Sequence, residues 1–447
     1  MVPPDTIAAI ATAPGRGAIG IIRVSGPNVP AVAQLLLGEI PAPRTALLAR
    51  FLDADGSAID EGVALYFPAP ASFTGEHVLE LQGHGGAIVL DLLMRRLLAL
   101  GCRAALAGEF SERAFVNGKL DMAQAEAIAD LINAGSDAAA RAAVRSMRGE
   151  FSAHIEALQQ RLTDLRKLVE AAIDFPEEEI DFASYANLEV RLREIADDFE
   201  RITAAARQGA LLRDGLNVVI AGKPNAGKSS LLNRLAGEEI AIVADLPGTT
   251  RDVLRQSLQL DGLTVNLVDT AGLRATHDVI EAEGVRRARG EMDRADLLLY
   301  VTDSADLDID EHRAAALPAD VPMILVINKI DLTGTPARMA AGRHSPEIHL
   351  SAKTGEGLEL LRSQLKQQAG FQSTDAGALS ARRRHLHALI RANHLVLEGA
   401  ENFAGARALE LFAEDLRLAQ GALSEITGAF GSDALLGEIF RSFCIGK

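Results

Sequence analysis

The chain has 447 residues, 48% of them hydrophobic and 24% charged, with a formal net charge of −16 and two cysteines, Cys102 and Cys444. That balance is of a folded globular protein of about three domains and excludes a disordered polymer or a disulfide-stapled scaffold. The acidic charge admits at most a local nucleic-acid-binding patch.

The first segment, MVPPDTIAAIATAPGRG, lacks a basic lead-in and is broken by Pro and Gly, so no secretory leader is expected. No run of about 18 apolar residues offers a membrane span, and the two thiols suit a reducing, cytoplasmic compartment. GAIGIIRVSG (17–26) and HVLELQGHGG (77–86) read as strands bounded by glycine, with ADGSAIDEG and FPAPASFTGE between them as turns. From about residue 118 the chain turns Ala-rich. Phe151, Ile155, Leu158, Leu162, Leu165, Val169 and Ile173 then alternate steps of four and three, one face of a long helix that Pro176 should end. From about 213, LNVVIAG, LTVNLVDTAG, DLLLYVTD, MILVINKID and EIHLSAK are strands separated by helical stretches, the pattern of a parallel sheet covered by helices. Past Gly370 the helices return, with Leu409, Phe412, Leu416, Ala419, Leu423 and Ile426 on one stripe. Matching helical texture on both sides predicts one helical domain with an α/β domain inserted into it.

The α/β segment carries a nucleotide site. GKPNAGKS (222–229) fits G-x-x-x-x-G-K-[ST] after a strand and before a helix. Its backbone N–H groups would wrap phosphates, Lys228 would reach the outer ones, and the Ser229 hydroxyl takes a magnesium position. Asp269, Thr270, Ala271 and Gly272 end a second strand, the Asp placed for magnesium through water and the Gly N–H for the γ-phosphate. Asn328, Lys329 and Asp331 end a later strand; Asp331 accepts from guanine N–H groups that adenine lacks. Ser351, Ala352 and Lys353 close the set. All sit at strand carboxyl ends, where open parallel sheets bind ligands, and together they specify a GTPase. Small signalling GTPases place Gln after D-x-x-G; here it is Leu273. Glu281 is either the replacement that orients water or a solvated helix carboxylate. Arg251 and Arg255 are open alternatives for an arginine finger.

Elsewhere, Cys102 in LGCRAAL reads as core, and His84 in GHGG as turn or pocket lining. His385 and His387 beside Arg382, Arg383 and Arg384 make a basic cluster, either a solvated helix face or a contact for nucleic-acid phosphates. The tail Cys444-Ile445-Gly446-Lys447 has the C-a-a-X form but ends in Lys, so prenylation is not expected. A packed helix end or a part of an active site remains.

PGRGAIGIIRVSG, SFTGEHVLELQGHGG, GEFSERAF, KLDMAQAEAIADLI, AAIDFPEEEIDF, GKPNAGKSSLLN, PGTTRD, DTAGLR, LSEITG and FCIGK span the chain, and together they resemble the bacterial MnmE (TrmE) family of tRNA modification GTPases. The resemblance implies a multidomain α/β and α+β chain. Its parts would be an N-terminal dimerisation and tetrahydrofolate-binding domain (1–117), a discontinuous helical domain (118–212 and 372–447), and an inserted Ras-like P-loop GTPase domain (213–371) whose mostly parallel sheet has helices on both faces. It implies a homodimer through the first domain and a heterotetramer with the flavoprotein MnmG (GidA), which carries FAD and uses NADH. The complex adds a carboxymethylaminomethyl or aminomethyl group to carbon 5 of the wobble uridine of certain tRNAs. The one-carbon unit comes from 5-formyl- or methylene-tetrahydrofolate.

By matching motif positions, Arg23, Glu80, Lys119 and Lys447 would contact the folate, with Cys444 carried beside them in a chemical or packing role. The implied GTP contacts are Asn225, Ala226, Gly227, Lys228, Ser229 and Ser230, then Ala244, Asp245, Leu246, Pro247, Gly248, Thr249 and Thr250, then Asp269, Thr270, Ala271, Gly272, Asn328, Lys329, Asp331, Ser351, Ala352 and Lys353. Magnesium would be held by Ser229 and Thr250. Potassium, in place of an arginine finger, would be held by Asn225, Ala244, Leu246 and Thr249; Ala244 stands where members often have Thr, a change that a backbone carbonyl ligand survives. Glu281 aligns with the family's catalytic glutamate. The alternative function is a GTP-dependent regulatory switch of the ribosome-assembly type, which needs no folate pocket.

Overall fold

The computed structural model describes residues 5–174, 182–222, 225–237, 255–269, 290, 292, 295–304, 321–342, 345–371, 377–406, 409–428, 439, 443 and 446. The chain divides into two compact units, one of residues 1–129, 146–196 and 387–447, the other of residues 130–145 and 197–386.

In the first unit, β1 (Ile7–Ile10), β2 (Ile19–Ser25), α1 (Val29–Leu37), β3 (Leu47–Leu52), β4 (Ala58–Phe67), β5 (Val78–His84), α2 (Ala87–Ala99) and β6 (Arg103–Ala104) build a six-stranded sheet in the order β3-β4-β5-β2-β1-β6. Neighbours are antiparallel except the β1–β6 pair. Period-two alternation decides the faces. Ile22 and Val24 of β2 and Leu79 and Leu81 of β5 are buried against Val32, Leu36, Leu90, Leu93 and Leu97 of the two helices. Arg23 and Glu80, one position out of phase, face the other way. Part of the stretch read as a turn, residues 58–62, belongs to β4 instead. The turn is confined to 53–57, where Asp53 and Ser57 close it through backbone and Asp55 caps Ser57. Ala-Ile-Asp-Glu-Gly is polar enough to hide that half-exposed strand from a composition reading.

The helices then follow: α3 (Glu109–Val116), α4 (Met122–Ile132), α5 (Asp137–Met147), α6 (Glu150–Asp174) and α7 (Phe182–Asp214). The predicted stripe of α6 is buried from Phe151 to Val169, and the helix is described as far as Asp174; Phe175 and Pro176, where it is expected to end, lie outside the described residues.

The second unit holds a seven-stranded sheet built from β7 (Leu216–Gly222), β8 (Arg255–Leu260), β9 (Leu263–Asp269), β10 (Leu297–Asp303), β11 (Met323–Asn328), β12 (Arg338–Ala341) and β13 (Pro346–His349), with α8 (Lys228–Gly237), the single turn α9 (Ile330–Thr333) and α10 (Leu358–Gln368). The order is β12-β13-β11-β10-β7-β9-β8; the central five are parallel and the two edges antiparallel. Strands buried on both faces read as continuous aliphatic runs, which is why β7, β10 and β11 were predictable. The edge strands β8 and β12 were not predicted. Asp261-Gly262, both at positive φ, form a two-residue hairpin between β8 and β9 whose Asp-Gly signature is visible in the sequence.

The last helices are α11 (Arg383–Ala406) and α12 (Leu409–Thr427). Phe412, Leu416, Ala419, Leu423 and Ile426 are buried, as their spacing predicts. α12 packs along α6 through a satisfied polar ladder: Gln159 donates to Ser424 Oγ at 2.7 Å and Gln420 donates to Thr163 Oγ1 at 2.7 Å. Such polar pairs inside an apolar seam fix the register of the two helices.

Candidate functional site

The phosphate-binding loop leaves β7 at Gly222 and enters α8 at Lys228. Asn225 and Gly227 take left-handed backbone at φ 61° and 96°. The Gly227 requirement is doubly set, since a Cβ there would lie 2.1 Å from Asn328 Nδ2. Lys228 is 8% exposed, and its ammonium donates to the Gly222 carbonyl at 3.0 Å. The amine is thus folded back over the loop that precedes it, where an anionic phosphate would compete with a neutral carbonyl. Ser229 and Ser230 occupy the first turn of α8, at the positive end of the helix.

Asn328 ties this loop to the rest of the site. Its amide donates to the Ala226 carbonyl at 2.8 Å, and its Oδ1 accepts from the Ala352 N–H at 2.9 Å. One buried side chain at the end of β11 therefore joins the phosphate loop to the Ser351–Ala352 turn. Asp331 accepts from the Ser351 hydroxyl at 2.6 Å, which fixes the carboxylate expected to read a guanine edge. Ser351 also caps its own turn by accepting from the Thr354 N–H at 3.2 Å. The predicted residues Asn225, Ala226, Gly227, Lys228, Ser229, Ser230, Asn328, Lys329, Asp331, Ser351, Ala352 and Lys353 all lie at carboxyl ends of strands of one sheet or in the loops and first helical turns that follow them. Asp269 is the last residue of β9. Glu281, residues 244–250 (Ala244, Asp245, Leu246, Pro247, Gly248, Thr249, Thr250), Thr270, Ala271 and Gly272 lie outside the described residues.

A second cluster stands on the sheet of the first unit. Arg23 and Glu80 are register partners across β2 and β5, and the Arg23 guanidinium donates to Glu80 Oε1 at 2.9 Å. The guanidinium carbon lies 5.6 Å from the Phe73 ring centre and 5.8 Å from the Phe110 ring centre, within cation–π reach of both. Neither aromatic was singled out from sequence. Lys119 follows α3, and the Gly75 backbone passes so close that a Cβ there would be 3.3 Å from Lys119 Cγ. The tail reaches the same unit. Phe443 is buried with Met122, Ala125 and Ile439, and at Gly446 a Cβ would stand 2.5 Å from the Ile10 carbonyl, on the strand paired with β2. Cys444 and Lys447 lie outside the described residues.

Other sequence readings resolve by burial. Cys102 is buried in the first core, and desolvation pushes its thiol up to about 11. His84 ends β5 and is not a simple turn residue; its Nδ1 and backbone N–H both meet Asp60, at 2.7 and 2.8 Å. In the basic cluster, His385 is buried and accepts from the Arg382 N–H, Arg382 pairs with Asp130, and Arg383 pairs with Asp296. The charge of Arg382 is thus spent inside the fold, while Arg383 is paired at the surface. Among the described residues, no group of His, Cys, Asp and Glu is arranged to hold a metal, and no helix is long and apolar enough to cross a membrane.

Comparison with known proteins covers the whole chain. Residues 6–119 match the family described as GTP-binding protein TrmE N-terminus, and residues 122–444 match the MnmE helical domain family. The chain is 56% identical over 443 residues to a tRNA modification GTPase MnmE of Methylococcus capsulatus, covering 99% of both. It is also 56% identical over 450 residues to that of Yersinia pestis bv. Antiqua, again covering 99% of both. Among solved structures, the G domain of the T. maritima FeoB iron transporter is 28% identical, with a TM-score of 0.26, over 34% of this chain and 98% of that one.

Proposed function

The chain belongs to the MnmE family of tRNA modification GTPases, and from that premise we propose that it couples GTP hydrolysis to the addition of a carboxymethylaminomethyl or aminomethyl group at carbon 5 of the wobble uridine of certain tRNAs. It is a GTP hydrolase, and the partition of labour follows the three segments of the sequence: 1–117 for dimerisation and folate, 118–212 with 372–447 as helical frame, 213–371 for GTP.

The observation that carries the reading is the second site. A regulatory switch needs only the nucleotide loops. This chain also presents a carboxylate, Glu80, held by Arg23, whose guanidinium lies within cation–π reach of Phe73 and Phe110. A pterin offers N–H donors to a carboxylate and a flat face to the partly buried Phe73, while the fully buried Phe110 backs Arg23 from the core, so Glu80 and Phe73 fit a tetrahydrofolate. Lys119, Lys447 and Cys444 complete the assignment, supported by Gly446 lying against the Ile10 carbonyl of the strand next to β2. Bound there, the folate supplies the one-carbon unit, while the residues orient it and exclude water.

In the nucleotide site, Lys228 neutralises the outer phosphates, and Ser229 with Thr250 holds magnesium. Asn225 with Ala244, Leu246 and Thr249 would hold potassium, which would supply the positive charge that an arginine finger supplies elsewhere. Glu281 orients the water. The partner is the flavoprotein MnmG, with FAD and NADH, in a cytoplasmic complex with a homodimer of this chain.

Calorimetric titration of 5-formyl-tetrahydrofolate into the full chain tests the reading. Saturable binding that weakens at least about tenfold in Arg23→Ala is expected, as loss of a charge-assisted contact predicts. A wild-type chain that takes up no folate would overturn it in favour of the switch.

A further inference from the structure

β10 ends at Asp303 and is followed by Ser304, two residues that none of the nucleotide motifs includes. They lie beside the base-reading loop because β10 and β11 are parallel and Asp303 stands in register with Asn328. Lys329, the next residue of that loop, is one of four non-glycine residues at positive φ among those described, at 67°. A lysine adopts left-handed backbone only when its surroundings hold it there. Here both ends of the residue are held. Its carbonyl accepts from the Ser304 hydroxyl at 3.0 Å, and its ammonium donates to Asp303 Oδ2 at 2.7 Å. The Ser304 N–H also binds the Asn328 carbonyl at 2.8 Å, so the pair grips two consecutive residues of the loop.

We propose that Asp303 and Ser304 are positioning residues for guanine nucleotide binding: they hold Lys329 in its left-handed conformation with its ammonium drawn aside, so that its methylene stem is presented as an apolar surface for the base. The chemistry fits a purine ring, since a lysine stem with its charge tethered elsewhere covers apolar area without placing an ammonium on it. Asp331 is supported separately, by Ser351 from another loop. The loop thus has two independent supports, one for stacking on the base and one for reading its edge.

That separation makes the test sharp. GTP and ITP share the ring that Lys329 would cover but differ in the 2-amino group that Asp331 would read. Steady-state hydrolysis of both nucleotides is measured for the full chain and for Asp303→Ala, Asp303→Asn and Ser304→Ala. In Asp303→Ala and Ser304→Ala the KM for GTP and for ITP should rise by the same factor, about fivefold, the factor that one net hydrogen bond carries. kcat and the preference for GTP over ITP should hold. Asp303→Asn, which keeps an acceptor oxygen, should recover part of the loss. Unchanged KM values in both alanine variants would overturn the proposal. So would a collapse of the GTP preference, which would mean that the pair merely keeps the whole loop folded.

Discussion

Asp130 is 9% exposed, and its carboxylate is shared by three donors from distant parts of the chain. Arg213, one turn before β7, donates to Oδ1 at 2.8 Å; Arg382, after the inserted domain, donates to the same oxygen at 3.1 Å; Ser380 donates to Oδ2 at 2.8 Å. One side chain therefore clasps the segments by which the chain enters and leaves the sheet. The side chains of Arg213 and Arg382 are 29% and 17% exposed, so water replaces the lost carboxylate only in part. Arg213 keeps Asp214 at 2.9 Å, which lowers the cost. Two charge-assisted bonds and one hydroxyl bond, discounted for that exposure and the remaining partner, give about 3 kcal/mol for Asp130→Ala. At about 2–4 °C per kcal/mol for a unit of this size, the unfolding transition should fall by about 6–12 °C. Asp130→Asn, which can still accept from one arginine, should lose about half as much. Scanning calorimetry of the full chain reads this, with Arg391→Ala as control. Its ion pair with Glu425 is 53% and 48% exposed and should cost less than about 1 kcal/mol. A drop under about 2 °C in Asp130→Ala, or one no larger than in the control, would refute the clasp.

Gly227→Ala should weaken nucleotide binding by about 30–100-fold, combining left-handed strain with the displaced Asn328 bond, and a fluorescent guanine nucleotide titration measures it. Cys102 should resist iodoacetamide at pH 8 in the folded chain and react once unfolded, because burial holds its thiol protonated up to about 11. Its folded pKa is raised, so the associated stability is present below the ordinary thiol value of 9.0 and is lost as pH climbs toward about 11. Rapid labelling of native Cys102 at pH 8, checked by peptide mass spectrometry, would contradict the burial.

The parts legible in the sequence are those where local chemistry and global fold agree. The parallel strands declared themselves because burial on both faces demands aliphatic runs. The phosphate loop did so because only glycines at set positions admit its backbone. β4 was half lost because it carries Asp60, which His84 satisfies from the neighbouring strand, and the exposed Glu61, and β12 because a four-residue edge strand needs no β-branched residues. Asp303, Phe73 and Phe110 were invisible for a different reason. Each matters only through a neighbour more than 20 residues away, and no local pattern marks such a pairing. The basic cluster at 382–387 misled in the opposite sense. Its charges look free in the sequence, but Asp130 and Asp296 meet two of them.

The central claim is that GTP hydrolysis at the Lys228 loop drives modification of a wobble uridine. Nucleosides of total tRNA, analysed by mass spectrometry in cells carrying the wild-type chain, Lys228→Ala or a deletion, test it most directly. The account predicts aminomethyl-type groups at carbon 5 of the wobble uridine in the wild type and their loss to the deletion level in Lys228→Ala. A deletion strain with unchanged wobble uridines would contradict it.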